Sequence, residues 1–112
     1  MLRNQARKLS MPKFGKKSRA NLKGVNTKIV NVLNQSIKHF DFSIIEGLRS
    51  VETQKSYVAK GASKTMKSKH LEGKAVDIAP YPIDYDDIER FVYLGGFILG
   101  VASQLGVKLR WG

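Results

Sequence analysis

The sequence predicts an α+β domain in which three helices pack on a small, mainly antiparallel sheet. Two stretches place apolar residues three and four positions apart, which is the spacing of a helix with one buried face. Shorter segments alternate apolar and polar residues or end at prolines, as strands do. A chain of 112 residues, with 42% apolar and 26% charged residues, has the length and composition of one folded domain.

Each predicted helix has, at or just before its first residue, a polar residue that can accept hydrogen bonds from the first turn. The predicted ranges are 18–38, 51–60 and 84–105, with Ser18, Ser50 and Asp84 as the candidate caps. Gly61 and Gly106 follow the second and third helices, where a left-handed residue commonly ends a helix. The predicted strands cover 42–45, 75–79 and 107–111, and the polar stretch 62–69 is predicted to be a loop.

The N-terminus is predicted to be a mobile basic arm over residues 1–15, followed by a domain over residues 16–112. Residues 1–19 contain seven basic residues and no acid, and Pro12 and Gly15 interrupt any helix. No apolar run follows the first basic residues, so we expect no signal peptide and synthesis in the cytoplasm, from Met1 or Met11. The longest apolar stretch, 91–107, is too short to span a bilayer.

The net charge narrows the choice of partners without identifying one. The 20 Lys and Arg residues outnumber the 9 Asp and Glu residues and give a charge of +11, which attracts polyanions or simply aids solubility. Nucleic acid is disfavoured because no helix-turn-helix, zinc finger or stacking-aromatic motif is recognisable. Anionic polymers of bacterial envelopes are retained as candidate partners. The absence of cysteine excludes disulfides, thiolate metal sites and cysteine nucleophiles.

Asp77 is the unusual residue of the second predicted strand, because a buried carboxylate is costly unless a cation meets it. Strand alternation places it on the face of Ala75 and Ala79, whose small side chains leave room for an ion. His70 lies seven residues upstream, across a glycine turn, and offers a nitrogen ligand. Nitrogen and oxygen ligands together suit zinc, although spacing alone also allows a plain ion pair of Asp77 with Arg49 or a lysine.

Residues 68–77 read Ser-Lys-His-Leu-Glu-Gly-Lys-Ala-Val-Asp, residues 47–50 read Gly-Leu-Arg-Ser, and residues 105–112 read Leu-Gly-Val-Lys-Leu-Arg-Trp-Gly. These three segments resemble motifs of the zinc D-Ala-D-Ala carboxypeptidase family, which includes the phage L-alanyl-D-glutamate endolysins. Residues 68–77 match its first zinc motif, Ser-x-His-x-x-Gly-x-Ala-x-Asp. Residues 46–54 resemble its Gly-x-Arg-Ser segment, and residues 105–112 resemble its Leu-Gly-x-x-x-Arg-Trp-Gly strand. Residues 13–16 and 79–81 are more similar to the phage endolysin branch. The resemblance covers residues 13–112 in the expected order.

The resemblance implies a hedgehog/DD-peptidase-like fold and a zinc metallopeptidase that hydrolyses the stem or cross-bridge peptides of bacterial peptidoglycan in the cell wall. The implied activity is that of an L-alanyl-D-glutamate endopeptidase, with a D,D-carboxypeptidase as the near alternative and a non-catalytic anion-binding fragment as the distant one. One zinc ion would bind His70 and Asp77. Arg49 would face the substrate or the developing oxyanion, and Ser68 and Gln54 would hold the peptide.

The chain differs from this family in the second of the two segments that form the family's zinc site. The family places an acid three residues before its third zinc ligand, a histidine, beyond the Arg-Trp-Gly strand. Neither His39 nor His70 has an acid three residues upstream. We therefore expect a C-terminally truncated form that lacks the last strand, the third ligand and the general base. Such a form would bind zinc weakly and hydrolyse peptides slowly.

Overall fold

The structure is a computed structural model that describes residues 2–3 and 11–112. Within these residues, four α-helices and a short 3₁₀ helix accompany a two-stranded antiparallel sheet, which confirms the predicted α+β class. The elements are α1 (Lys16–Asn21), α2 (Thr27–Ser36), β1 (Phe42–Glu46), α3 (Val51–Ala59), the 3₁₀ helix (Lys69–Glu72), β2 (Asp77–Pro80) and α4 (Ile88–Gln104). None of these helices is both long and apolar enough to cross a membrane.

The single first helix predicted over 18–38 is wrong, because the chain forms α1 and α2 with a turn between them. Gly24 adopts a φ of +79° in that turn, and the Asn26 side chain accepts hydrogen bonds from the first turn of α2. Ser18 is not a cap. It lies inside α1, where its buried hydroxyl accepts a hydrogen bond from the backbone N–H of Ile44 and joins α1 to the sheet.

The other two helices each end one residue before the predicted end, at Ala59 and Gln104. α3 begins after Ser50, whose hydroxyl accepts a hydrogen bond from its first turn, and Gly61 follows with a φ of +76°. α4 begins later than predicted, because Asp87 caps it while Asp84 caps the preceding turn. Gly106 follows α4 with a φ of +69°.

The sheet places the start of β2 beside the end of β1. Ile44 lies opposite Ile78, and a bulge in β1 then brings Glu46 opposite Asp77. β2 therefore begins at Asp77, two residues after the predicted start. The third strand predicted over 107–111 is wrong, since this segment has no strand geometry. Its Trp111 instead packs so closely on Gly95 of α4 that a Cβ there would collide with the indole.

The core lies between the sheet, α2 and α4. Phe42, Val32 and Leu94 are buried at its centre. Phe14 packs edge to face on Phe42, with ring centroids 5.3 Å apart. The packed part of the chain therefore includes Phe14, which lies before the predicted domain boundary, while much of the predicted basic arm falls outside the described residues.

Candidate metal and substrate site

The His70 ring is fixed by local hydrogen bonds at the 3₁₀ helix. The Ser68 hydroxyl caps this helix and accepts a hydrogen bond from the backbone N–H of His70, 3.2 Å away. The Nδ1 atom of His70 lies 2.8 Å from the carbonyl oxygen of Gly47. Because a carbonyl only accepts hydrogen bonds, Nδ1 carries the proton in the neutral ring and Nε2 presents a free lone pair. This is the arrangement that orients a metal-binding histidine.

Asp77 meets the free side of that ring at the start of β2. Its Oδ2 atom lies 3.5 Å from Nε2 of His70. Tetrahedral zinc, with bonds of about 2.0–2.2 Å, holds neighbouring nitrogen and oxygen ligands about 3.4 Å apart. The two side chains therefore fit zinc in atom type and in spacing.

The surroundings of Asp77 differ from the sequence prediction. Its side chain is 60% exposed, so the argument from the cost of a buried carboxylate is wrong for this residue. The exposure arises because Asp77 begins β2 and does not lie within it. A solvent-facing carboxylate leaves room around the pair for further ligands.

Glu46 is a site residue to which the sequence analysis assigned no role. The bulge in β1 brings it into a cluster with His70 and Asp77, whose ligand atoms all lie within 4.8 Å of one another. Its carboxylate is nevertheless already engaged. Oε1 accepts hydrogen bonds from Nε and Nη2 of Arg49, and Oε2 accepts one from the Tyr57 hydroxyl, 3.0 Å away. Its Oε1 atom lies 3.8 Å from Nδ1 of His70, which is the ring nitrogen bonded to Gly47.

Arg49 is held from several directions. Its Nε lies 2.7 Å from Glu46, and its Nη1 donates to Oε1 of Gln54, also at 2.7 Å. The guanidinium carbon lies 4.7 Å from the centroid of the Tyr57 ring, which is cation–π contact. The backbone N–H of Arg49 donates to the carbonyl of His70, so the arginine and the histidine are tied together.

Gln54 and Ser68 complete this network. Gln54 is fully buried on α3, and its Nε2 donates to a serine hydroxyl and a backbone carbonyl in the loop 63–65. The carbonyl oxygen and the amino group of its side-chain amide are therefore both hydrogen-bonded within the protein. The Ser68 hydroxyl lies 3.4 Å from Nη1 of Arg49. The fold thus brings all five predicted site residues together, with Gln54 beneath the surface.

The electrostatic surroundings of Tyr57 favour its neutral form. The hydrogen bond to Glu46 and the negative charge of that carboxylate raise the pKa of Tyr57 above its ordinary value of 10.0. The phenol therefore stays a hydrogen-bond donor to Glu46 throughout the neutral pH range.

A cavity of about 580 Å³ opens beside Asp77. Apolar side chains of α2, β2 and α4 form much of its wall. Asp77 is the single acid among the described residues that line it, whereas the basic ones are Lys69, Lys74, Lys108 and Arg110. A cleft with this lining favours an anionic ligand.

Three comparisons with known proteins point to one group of enzymes. The family model described as phage L-alanyl-D-glutamate peptidase matches residues 10–112. The L-alanyl-D-glutamate peptidase of Escherichia phage T5 is 35% identical in an alignment of 108 positions, which covers 89% of this chain and 79% of that protein. The crystal structure of Serratia marcescens L-Ala D-Glu endopeptidase ChiX matches with a TM-score of 0.79 and 30% identity, over 87% of this chain and 76% of that one.

Proposed function

The chain belongs to the phage L-alanyl-D-glutamate peptidase family, and from that premise we propose that it uses one zinc ion to cleave the L-alanyl-D-glutamate bond of peptidoglycan stem peptides. Its site of action is the bacterial cell wall, as for an endolysin. The observation that supports the proposal best is the pair of His70 Nε2 and Asp77 Oδ2, 3.5 Å apart, with the other ring nitrogen bonded to Gly47. The matched proteins are an L-alanyl-D-glutamate peptidase and an L-Ala D-Glu endopeptidase, so the carboxypeptidase alternative is not favoured.

His70 and Asp77 would hold the zinc ion. When bound in a peptidase, zinc lowers the pKa of water and polarises the scissile carbonyl. His70 contributes a neutral nitrogen whose tautomer is fixed by Gly47, and Asp77 contributes a carboxylate that offsets part of the ion's charge.

Arg49 supplies hydrogen bonds to the negative charge that develops on the substrate. An arginine has five N–H donors, and three of them are directed to Glu46 and Gln54. A further hydrogen bond runs from Nη1 to the Ser68 hydroxyl at 3.4 Å, which leaves one N–H on Nη2 for the substrate. Donors that are already fixed stabilise a developing oxyanion without the cost of reorganisation.

The basic cleft beside Asp77 suits the peptide on which this site would act. Peptidoglycan stem peptides carry free carboxylates, and the cations that line the cleft would attract them. The net charge of +11 would likewise favour adsorption to anionic envelope polymers. Both attractions weaken as salt is added.

Cleavage of a defined stem peptide tests the proposal. The purified chain, loaded with zinc and in excess over an L-alanyl-γ-D-glutamyl peptide, is expected to yield products with a new C-terminal L-alanine and a new N-terminal D-glutamate. Mass spectrometry identifies both products. A chelator should abolish the cleavage and added zinc should restore it. Release of terminal D-alanine alone, or an intact peptide after zinc binding has been verified, would overturn the proposed function.

A further inference from the structure

We propose that Glu46 is a positioning residue that fixes the orientation of Arg49, and that it is not a ligand of the metal. The inference rests on the proposed function, because the value of a fixed Arg49 lies in its contact with the substrate. Proximity alone suggests a different role for Glu46, since its carboxylate lies in one cluster with His70 and Asp77. The hydrogen bonds around it decide between the two roles.

Both carboxylate oxygens of Glu46 already have partners. Oε1 takes two hydrogen bonds from Arg49, and Oε2 takes one from Tyr57. The Arg49 side chain is only 12% exposed, so water could not easily replace the carboxylate. Turning Glu46 toward a metal would leave a guanidinium unpaired in a site that is largely closed to water, and such a rearrangement is costly.

The backbone of β1 sets the place of this carboxylate. Ile44 pairs with Ile78 and Glu46 with Asp77, so Ile45 is the extra residue of a bulge. A bulge redirects the side chains that follow it, and here it places Glu46 at the end of β1, three residues before Arg49. The strand end and the arginine are therefore joined by a short turn whose ends the ion pair holds together.

α3 closes the other side of the guanidinium. Gln54 and Tyr57 are three residues apart and therefore lie on one face of this helix. Gln54 accepts from Nη1 of Arg49, while Tyr57 donates to Glu46 and lies against the guanidinium. Glu46 is thus the shared acceptor for the Nε–H of Arg49 and the hydroxyl of Tyr57.

Replacing Glu46 by glutamine tests this role, because the amide keeps the size of the side chain but loses its charge. In Glu46→Gln, zinc affinity measured by calorimetry should equal that of the wild type, whereas Asp77→Ala should lose it. The Arg49 Nε–H signal in an ¹⁵N NMR spectrum, assigned with Arg49→Lys, should shift and lose its protection from exchange. The matched control is Glu72→Gln, which changes an exposed acid near His70 and should alter neither measurement.

Peptide cleavage provides the third readout. Glu46→Gln should lower kcat roughly 10- to 100-fold, with a smaller change in KM, because a misplaced donor fails mainly in the transition state. Glu46→Asp should recover part of that loss. In an Arg49→Lys background the Glu46→Gln change should have little further effect, since a positioning residue acts only through the residue that it positions.

The outcomes separate this inference from the proposed function. A fall in zinc affinity as large as that of Asp77→Ala, or an unchanged Arg49 Nε–H signal in Glu46→Gln, would overturn the positioning role. Circular dichroism verifies that each variant is folded. If the zinc-loaded wild type cleaves no peptide, the proposed function fails, while the zinc and NMR measurements still decide what Glu46 does.

Discussion

The two halves of the site are built in opposite ways. In the arginine half, Gln54 is fully buried and Arg49 is 12% exposed, and each is bonded to its neighbours. In the metal half, Asp77 is 60% exposed, and its ion-pair contact within the described residues is His70. The protein thus fixes its own cation within a closed network and leaves the Asp77 carboxylate open to an ion from solution, beside a His70 ring that is itself only 12% exposed. A preorganised donor beside an accessible metal is a suitable arrangement for hydrolysis.

The largest expected effect is the loss of zinc from the open half. His70→Ala combined with Asp77→Ala should remove zinc binding entirely, because both proposed ligands are gone. Metal analysis of the dialysed protein measures this loss. His39→Ala is the matched control, since His39 is exposed and lies away from the cluster. Equal zinc in the double variant and the wild type would show that these residues do not form the metal site.

The next largest effect is a loss of catalytic rate when Arg49, in the closed half of the site, is replaced. Arg49→Ala should lower kcat by about 10²- to 10³-fold, the usual cost of removing one donor to a developing oxyanion. Zinc content should stay the same. Arg49→Lys should recover only part of the rate, because an ammonium does not reproduce the paired contacts with Glu46 and Gln54. Full activity in Arg49→Ala would remove the arginine from the mechanism.

Stability should also distinguish the two halves. Gln54→Ala should destabilise the fold by about 1–3 kcal/mol, since it removes a fully buried amide that accepts from Arg49 and donates to the loop 63–65. Asp77→Ala in metal-free protein should change stability by no more than about 0.5 kcal/mol, as is usual for exposed positions. Urea unfolding of the two variants measures the difference. Equal destabilisation would contradict the contrast between a closed and an open half.

Much of the fold could be predicted from residues that act locally. Ser50, Gly61 and Gly106 mark helix ends through their own backbone preferences, and the structure places them there. The break at Gly24 was missed because apolar residues keep a helical spacing on both sides of the turn. The strand predicted over 107–111 was wrong because alternation does not reveal whether a partner strand is present, and here Trp111 packs on Gly95.

In the candidate site, too, residues in local motifs could be predicted, whereas roles that depend on tertiary packing could not. His70, Asp77 and Arg49 could be found because they lie in contiguous motifs. Glu46 and Tyr57 could not be assigned, because their roles depend on a bulge in β1 and on the packing of α3. The exposure of Asp77 was also misjudged, since a shift of two residues in the start of a strand turns an interior position into an end.

The smallest expected effect is a change in the titration of Tyr57. Glu46 raises the pKa of this phenol above 10.0, so the contact adds stability below pH 10 and loses it as the pH rises through the higher folded value. In an ultraviolet titration of the tyrosines, Tyr57→Phe identifies the ionisation of Tyr57, and Glu46→Gln should move that ionisation to lower pH. If Glu46→Gln leaves the ionisation that Tyr57→Phe removes at its wild-type pH, the contact between Glu46 and Tyr57 is contradicted.

The most direct test is a crystal structure of the zinc-loaded protein with anomalous scattering measured at the zinc edge. The account predicts one peak about 2.0–2.2 Å from Nε2 of His70 and from a carboxylate oxygen of Asp77, with Glu46 still bonded to Arg49. A peak on Glu46, a zinc contact through Nδ1 of His70, or no peak at this site would contradict it.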